Sequence, residues 1–266
     1  MGVKRARSAA GPAGGSGRTP GLLDEAALAG AAMAYGLAHR VIPKRFYLSA
    51  NVVAALASVT GAWRAGASLA DCGLGRGTLR RSLGVGAAAS AAVSAGVILA
   101  AMPVRTRELF SHDRVAGHGD RQAIYEALVR IPVGTALSEE VIFRGAMLGV
   151  MRRRHSAAAA ITASSLCFGV WHALPALESL RDAAIHRHVS VRAGEAAAIA
   201  GAVAVTGAAG ACFAALRLWT GSVIAPVMAH AALNATAYLV TRRVGAEGRG
   251  AAARPEPGAD AASDVP

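Results

Sequence analysis

The stretch that decides the fold is "TALSEEVIFRGAMLGVMRRRH", residues 135–155. Its length and apolar content predict a membrane-spanning helix, and the arginines of its last turn mark a membrane surface. Three charged residues, Glu139, Glu140 and Arg144, lie inside the apolar part. A charged side chain at the centre of a bilayer costs about 2.5 to 3.5 kcal/mol on insertion scales, so each of the three needs a partner or a function.

The composition of the whole chain agrees with a membrane protein. Of its 266 residues 54% are hydrophobic and only 5% aromatic, and the mean hydropathy is +0.40. The net charge of +12 comes from arginines in short clusters between apolar runs, which is typical of loops that flank membrane spans and excludes a nucleic-acid partner. Because arginine far exceeds lysine and alanine and glycine abound, as in GC-rich bacterial genomes, we expect the bacterial inner membrane as its location.

Seven segments have the length or hydropathy expected of a membrane span. The predicted fold class is therefore all-α, a polytopic membrane helical bundle of about seven transmembrane helices, with six to eight as the range. The first segment is short and the weakest of the seven. The predicted spans are residues 26–42, 46–63, 83–104, 131–151, 156–174, 196–216 and 222–240.

Composition also divides the chain into four parts. Residues 1–20 are basic and rich in Gly, Ser and Pro, which predicts a flexible tail. Residues 21–122 hold the first spans and a charged segment that we place at the membrane interface. Residues 123–241 carry the polar helices, with Pro132 expected in the first turn of its helix. Residues 242–266 have the composition of a disordered tail.

The three charged residues of the opening stretch differ in whether their own helix offers them a partner. Glu140 and Arg144 are four residues apart with the acid first, the better order for an ion pair on one helix face. Glu139 points about 100° away from that face and has no partner in its own helix. Two later helices add polar groups: "FGVWH" ends in His172, and "HAALN" places His230 and Asn234 on one face.

Helix geometry predicts that these groups lie at one depth. With a rise of about 1.5 Å per residue, measured from the turn at residues 152–155, Glu139 lies about 20 Å deep and His172 about 25 Å deep. The last span starts on the same side, which places His230 about 16 Å and Asn234 about 22 Å deep. Residues that serve only packing in separate helices have no reason to agree in height, so we predict a shared polar chamber.

A carboxylate, two histidines and an amide in a dry chamber suit hydrolysis. The carboxylate takes a proton from a water held beside a histidine, and the water attacks a carbonyl carbon. The second histidine and the asparagine donate hydrogen bonds to the oxyanion that forms. These residue types therefore favour peptide-bond hydrolysis, with Glu139 as the base.

Three short motifs resemble a known family. "EEVIFR" from Glu139 is similar to its EExxxR motif, "FGVWH" from Phe168 to FxxxH, and "HAALN" from His230 to HxxxN, in that order. Together they resemble the CAAX-protease and bacteriocin-processing family (CPBP) of intramembrane proteases, also called the Abi or type II CAAX prenyl endopeptidase family. The resemblance covers about residues 130–238, within the predicted core of residues 123–241, and leaves the first spans outside.

The resemblance implies an intramembrane endopeptidase with Glu139 as the water-activating base. Glu140 and Arg144 become its partners in the first motif, His172, His230 and Asn234 complete the site, and Phe168 packs beside His172. The partners implied are the lipid bilayer and a membrane-embedded or lipid-modified peptide or protein substrate.

Two alternatives remain open at this point. Glu139, His172 and His230 offer the ligand types of a divalent metal such as Zn²⁺, but the chain has no HExxH motif, and we expect no obligatory metal cofactor. A catalytically idle membrane scaffold, or a binding protein of the bacteriocin-immunity type, is the alternative to an enzyme. A proton-coupled transporter fits less well, because the sequence shows no paired repeats.

Overall fold

The computed structural model describes residues 18–75, 78–107, 110, 113–187 and 192–252. These residues form helices and turns, and no strand occurs among them. Five of the helices are long and apolar enough to cross a membrane. The predicted fold class, a polytopic helical bundle, is confirmed.

The helices follow one another with short connections. Two 3₁₀ turns, His39–Val41 and Lys44–Phe46, join the first two helices. The α-helices are α1 (Leu22–Ala38), α2 (Tyr47–Arg64), α3 (Leu79–Ala101), α4 (Val104–Arg107), α5 (Asp113–Ala116), α6 (Asp120–Tyr125), α7 (Ser138–Glu140), α8 (Leu148–Met151), α9 (Ala157–Trp171), α10 (Ala173–Arg187), α11 (Arg192–Thr220) and α12 (Ile224–Ala252).

Residues 120–151 form one continuous helix, which we name the central helix. It alternates between α-helical stretches (α6, α7 and α8) and two π-helical stretches, Glu126–Leu137 and Val141–Met147. Pro132 lies inside this helix, so its predicted place in a first turn is wrong. The helix starts at Asp120, well before the proline, because the charged segment predicted at the interface is itself helical and runs on into the apolar part. A widened π-helical turn surrounds Pro132, which lacks an amide donor.

The second half of the central helix is enclosed by protein. Every residue of the range 141–151 is buried. Helices α1, α2, α9 and α11 pack against its second π-helical stretch, and α12 packs against its first. The most charged apolar segment of the chain therefore forms the core of the bundle.

Five of the seven predicted spans correspond to helices that qualify as membrane spans, and two do not. The segment at residues 26–42 belongs to α1, which has 17 residues and ends at Ala38. The segment at residues 131–151 lies within the central helix, whose three charged residues set it apart from a simple apolar span. The five spans are Lys44–Arg64, Leu79–Ala101, Ala157–Arg181, Gly194–Thr220 and Ile224–Arg249.

The predicted tails are corrected in part. Helix α12 continues to Ala252, so disorder from residue 242 is wrong for residues 242–252. An unbroken helix satisfies the backbone hydrogen bonds of this polar stretch, and Arg249 also donates to the carbonyl of Ala116. Residues 1–17 and 253–266 of the predicted tails lie outside the described residues.

Candidate active site

Glu140 and Arg144 form the predicted ion pair at the centre of the bundle. The Arg144 Nη1 atom lies 3.0 Å from Glu140 Oε1, and at most 1% of either side chain is exposed. The guanidinium carbon also lies 4.0 Å from the ring centroid of Phe168 and 5.5 Å from that of Phe213. Aromatic faces attract a desolvated cation, so the rings support the charge together with Glu140.

Glu140 has a second partner that the sequence did not indicate. The His230 Nδ1 atom lies 2.8 Å from the same Oε1 atom, and the carboxylate accepts its hydrogen bond. This contact joins α12 to the central helix across 90 residues of chain. It fixes the imidazole ring with Nε2 directed toward Glu139, 3.9 Å from its Oε2 atom.

The Glu139 carboxylate lies between the two histidines. Its Oε2 atom is 3.9 Å from His230 Nε2 and 4.0 Å from His172 Nε2. The same oxygen is buried and has no hydrogen-bond partner among the described residues. The common depth predicted for Glu139, His172 and His230 thus corresponds to a cluster of three ionisable side chains from three helices.

His172 is positioned by the end of its own helix. Helix α9 ends at Trp171, and His172 caps it while α10 begins at Ala173. The His172 Nδ1–H group donates to the carbonyl oxygen of Phe168 over 2.9 Å. Because a carbonyl can only accept, this bond sets the proton on Nδ1, and neutral His172 presents a lone pair on Nε2 toward Glu139.

Phe168 packs beside His172, as expected from its motif. The two rings meet edge to face with their centroids 4.5 Å apart. The same ring covers the Arg144 guanidinium, so Phe168 links the ion pair to the histidine. It acts by packing and by its quadrupole, since a phenyl ring transfers no proton.

Asn234 lies one helical turn after His230 on α12 and is half-buried. Its amide makes no hydrogen bond to Glu139, Glu140 or either histidine within the described part of the chain. The structure therefore brings five of the six predicted site residues into one contact network and leaves Asn234 beside it.

Phe213 is a site residue that the sequence analysis missed. Its ring stacks on His230, with centroids 5.1 Å apart and planes 18° apart, and it also faces Arg144. Nothing in the apolar run around it distinguishes this phenylalanine from a lipid-facing one. Its only signal is the rarity of aromatic residues in the chain.

The spacing of the cluster does not fit a tetrahedral zinc site. Two ligands about 2.0 to 2.1 Å from such an ion lie about 3.3 Å from each other, whereas the donor atoms here are 3.9 and 4.0 Å apart. No group of three His, Cys, Asp or Glu side chains with metal-binding geometry occurs among the described residues.

Comparison with known proteins identifies the domain that carries this site. Residues 122–236 match the family model "Type II CAAX prenyl endopeptidase Rce1-like", over nearly the same range as the predicted core. A search of curated proteins and a search of solved structures gave no match. The matched range includes Glu139, Glu140, Arg144, His172, His230 and Asn234. The match supports the resemblance to the CAAX-protease family for residues 122–236, the part of the chain that carries the site.

Proposed function

We propose that the protein is an intramembrane endopeptidase that hydrolyses a peptide bond in a membrane-embedded or lipid-modified protein or peptide of the bacterial inner membrane. The observation that carries this proposal is the Glu139 carboxylate between His172 and His230. The family match supports the same class of reaction.

The first step uses Glu139 and His172 as two acceptors for one water. Water donates one hydrogen bond to the Glu139 carboxylate and one to the unprotonated Nε2 of His172. Its oxygen lone pair is then free to attack the carbonyl carbon while Glu139 takes the proton. Protonated Glu139 later gives that proton to the amide nitrogen, and the C–N bond breaks to leave a carboxylic acid and an amine.

The second step stabilises the oxyanion of the tetrahedral intermediate. Protonated His230 donates from Nε2, and the Glu140 carboxylate on Nδ1 stabilises the imidazolium charge. We assign the amide of Asn234 as the second donor, because it lies one turn from His230 on the same helix. Arg144 holds Glu140 and is a positioning residue.

An idle scaffold of the same fold is the competing function. A scaffold would need the Glu140–Arg144 pair for packing, but it has no need of Glu139, whose buried oxygen lacks a hydrogen-bond partner within the described residues. Leaving such a group unsatisfied costs about 1 to 3 kcal/mol or more, so an idle protein gains stability by losing it.

The decisive experiment removes only the charge of Glu139. We expect Glu139→Gln to reduce the cleavage rate at least about 100-fold, because general-base catalysis contributes a factor of that order. The purified protein and the variant are compared in detergent on a panel of quenched-fluorescence peptides, both single-span membrane peptides and prenylated CAAX peptides. Each assay is repeated after treatment with a chelator, and the metal content of the purified protein is measured.

The matched control is Glu25→Gln, which removes another buried carboxylate. Glu25 pairs with His155 over 2.9 Å near the turn at residues 152–155 and lies outside the cluster. We expect this variant to keep its cleavage rate. Equal cleavage by the wild-type protein and Glu139→Gln would refute the proposed mechanism.

A further inference from the structure

A cleft of about 370 Å³ lies between helices α1 and α2 and the central helix. Small residues of α1 and α2 form its side walls, and the buried side chains of Ile142 and Met147 form its floor. Three alanines of the lining, Ala27, Ala31 and Ala57, are exposed, so the cleft is open along its outer side. None of the residues of the candidate active site lines it.

The cleft has the length of one bilayer leaflet. Along α1 it extends from Asp24 to Tyr35, and along the antiparallel α2 from Ala65 back to Ala54, in each case about 16 Å of helix. This part of α2 belongs to the candidate membrane span Lys44–Arg64. One leaflet fills about 15 Å of a hydrocarbon core about 30 Å thick. The cleft therefore reaches from one membrane surface to about the middle of the bilayer.

The width of the cleft suits a single hydrocarbon chain. A volume of about 370 Å³ spread over about 16 Å of length leaves a cross-section of about 23 Å². This is close to the cross-section of one extended acyl chain. An α-helix with its side chains measures about 10 to 12 Å across and needs several times that area. A transmembrane helix of another protein is therefore too wide for the cleft.

The polar side chains of the lining already have partners in the protein. The Ser58 hydroxyl donates to the carbonyl oxygen of Ala55 over 2.7 Å, and the Tyr35 hydroxyl donates to Asn51 Oδ1 over 2.8 Å. The Asp24 carboxylate accepts from a backbone amide and from an arginine. The remaining lining is apolar and offers water no group to bind, whereas an empty space forfeits the dispersion contacts of its walls. The cleft therefore favours an apolar ligand.

Arginines surround the end of the cleft that lies at the membrane surface. Arg18 pairs with Asp24 over 2.5 Å, and Arg154 interacts with the same carboxylate and lies 3.9 Å from Glu25. Arg64, the last residue of α2, is exposed and makes no ion pair within the described part of the chain. Three arginines thus face two carboxylates. Basic residues at a membrane surface attract anionic lipids, so this excess charge suits the phosphate of a phospholipid.

We propose that the cleft binds one acyl chain of an anionic phospholipid, with the lipid phosphate at the arginines of the surface end. The chain fills the space against Ile142 and Met147, and Arg64 supplies the cation that has no partner in the described protein. Binding stabilises the folded bundle, because the chain restores contacts to the walls of the cleft. The site goes beyond the proposed function, since its ligand is a lipid of the bilayer and not a substrate.

Photocrosslinking tests where the chain lies. Phosphatidylglycerol with a diazirine at the end of one acyl chain is added to the purified full-length protein in detergent, and mass spectrometry identifies the modified residues after irradiation. We expect adducts at the deep end of the cleft, on Tyr35, Ala54 or Ile142. Ala31→Phe places a ring in the cleft and should reduce these adducts at least about tenfold, because one space cannot hold both groups.

The matched control is Ala34→Phe, which changes an exposed alanine of α1 outside the lining. It should leave the adducts as they are. Adducts confined to residues outside the lining, or an equal yield in wild type and Ala31→Phe, would overturn the cleft as the lipid site.

Native mass spectrometry tests the head group with phosphatidylglycerol and phosphatidylethanolamine that carry the same chains. We expect phosphatidylglycerol to bind more tightly, and Arg64→Gln to weaken its binding about fivefold, the loss expected for one arginine beside an anionic lipid. Arg45→Gln removes an exposed arginine near the other end of α2 and should keep the wild-type affinity. Equal binding of the two phospholipids, or preferential binding of a prenylated peptide in the cleft, contradicts the proposal.

Thermal unfolding provides a readout that does not require catalysis. Phosphatidylglycerol should raise the unfolding temperature of the wild-type protein and of Glu139→Gln by the same amount, because a ligand of the folded state stabilises it whether or not the protein is active. Ala31→Phe should lose this increase. An increase that persists unchanged in both Ala31→Phe and Arg64→Gln places the lipid elsewhere and refutes the site. Loss of cleavage activity alone does not affect this result.

Discussion

At the scale of single residues, Glu140 has the most partners in the cluster. One of its oxygens accepts from both Arg144 and His230 while all three side chains are buried. A buried pair of charges contributes little net stability, yet removal of one partner leaves the other charge uncompensated. Glu140 therefore affects both the folding of the bundle and the orientation of a histidine at the site.

We expect Glu140→Gln to lower the free energy of unfolding by about 3 to 5 kcal/mol, because the Arg144 charge is then buried without a counter-ion. Glu140→Gln combined with Arg144→Met should recover much of the loss but no activity, since His230 lacks its carboxylate partner. Denaturant unfolding in detergent, with both single variants and the double variant, measures this coupling.

The control for that cycle is a second glutamate–arginine pair in the same helix. Arg130 and Glu126 are 2.6 Å apart, but 39% of the Arg130 side chain is exposed. The Arg130 charge stays partly solvated when its partner is removed, so Glu126→Gln should cost less stability than Glu140→Gln. Additive losses in the Glu140 and Arg144 variants would contradict the buried coupling.

At the scale of elements, glycines allow α11 to approach its neighbours. A Cβ atom on Gly169 of α9 would lie 2.6 Å from the carbonyl oxygen of Val203 on α11, so these helices touch through their backbones. A Cβ atom on Gly210 would lie 2.9 Å from Arg144 Nη2 and 3.1 Å from Phe168 Cδ1. Gly210 therefore makes room for the guanidinium that anchors the site.

We expect Gly210→Ala to destabilise the protein by about 1 to 3 kcal/mol, as overpacking in a close-packed core does. The displaced Arg144 should also disturb Glu140 and lower the cleavage rate. Denaturant unfolding and the cleavage assay, carried out on the same preparation, measure the loss of stability and the loss of rate.

Gly201→Ala in the same helix is the matched control, because no atom of the described residues lies within 4 Å of the Cβ it would add. It should be neutral or gain up to about 1 kcal/mol from the better helix propensity of alanine. Equal effects of the two substitutions would show that propensity, and not the Arg144 contact, governs position 210.

At the scale of the whole molecule, the loop after α2 ties three helices together. Arg217 of α11 donates to the carbonyl of Asp71, and Arg153, which follows the central helix, lies 3.0 Å from the Asp71 carboxylate. Partial burial raises the pKa of Asp71, but hydrogen bonds from Ser68 and Arg153 outweigh it and hold this pKa below its usual value. The Asp71 carboxylate therefore stays ionised at neutral pH and keeps its ion pair with Arg153.

Cys72 in this loop gives a prediction about pH. Burial raises the pKa of its thiol to about 11, so the folded protein keeps the thiol protonated at pH 9 to 10. The unfolded thiol ionises above a pH of about 8.5 and then favours the unfolded state, so stability should fall as the pH rises from 8 to 10. Denaturation midpoints at both pH values measure this loss.

Cys72→Ala should show a smaller loss over the same range and is the control. Alkylation of Cys72 in a variant with Cys167→Ala and Cys212→Ala measures the unfolding that exposes this thiol, because Cys72 is only 1% exposed in the folded protein. Rapid alkylation of the native protein at pH 8 would contradict the enclosed loop.

The sequence by itself determined the helical class, five of the spans, the Glu140–Arg144 pair and the depth shared by Glu139, His172 and His230. Hydropathy and spacing within one helix are local properties, and rise per residue is common to all helices. The length of α12 was missed because a polar helix end has the same composition as a disordered tail.

Only the tertiary structure decided which helix faces meet. It placed His230 on Glu140 and Phe213 on His230, and it packed α12 against the first π-helical stretch of the central helix. These contacts join residues far apart in the chain, and the rotation of each helix depends on close packing with its neighbours. No periodicity within a single segment contains that information.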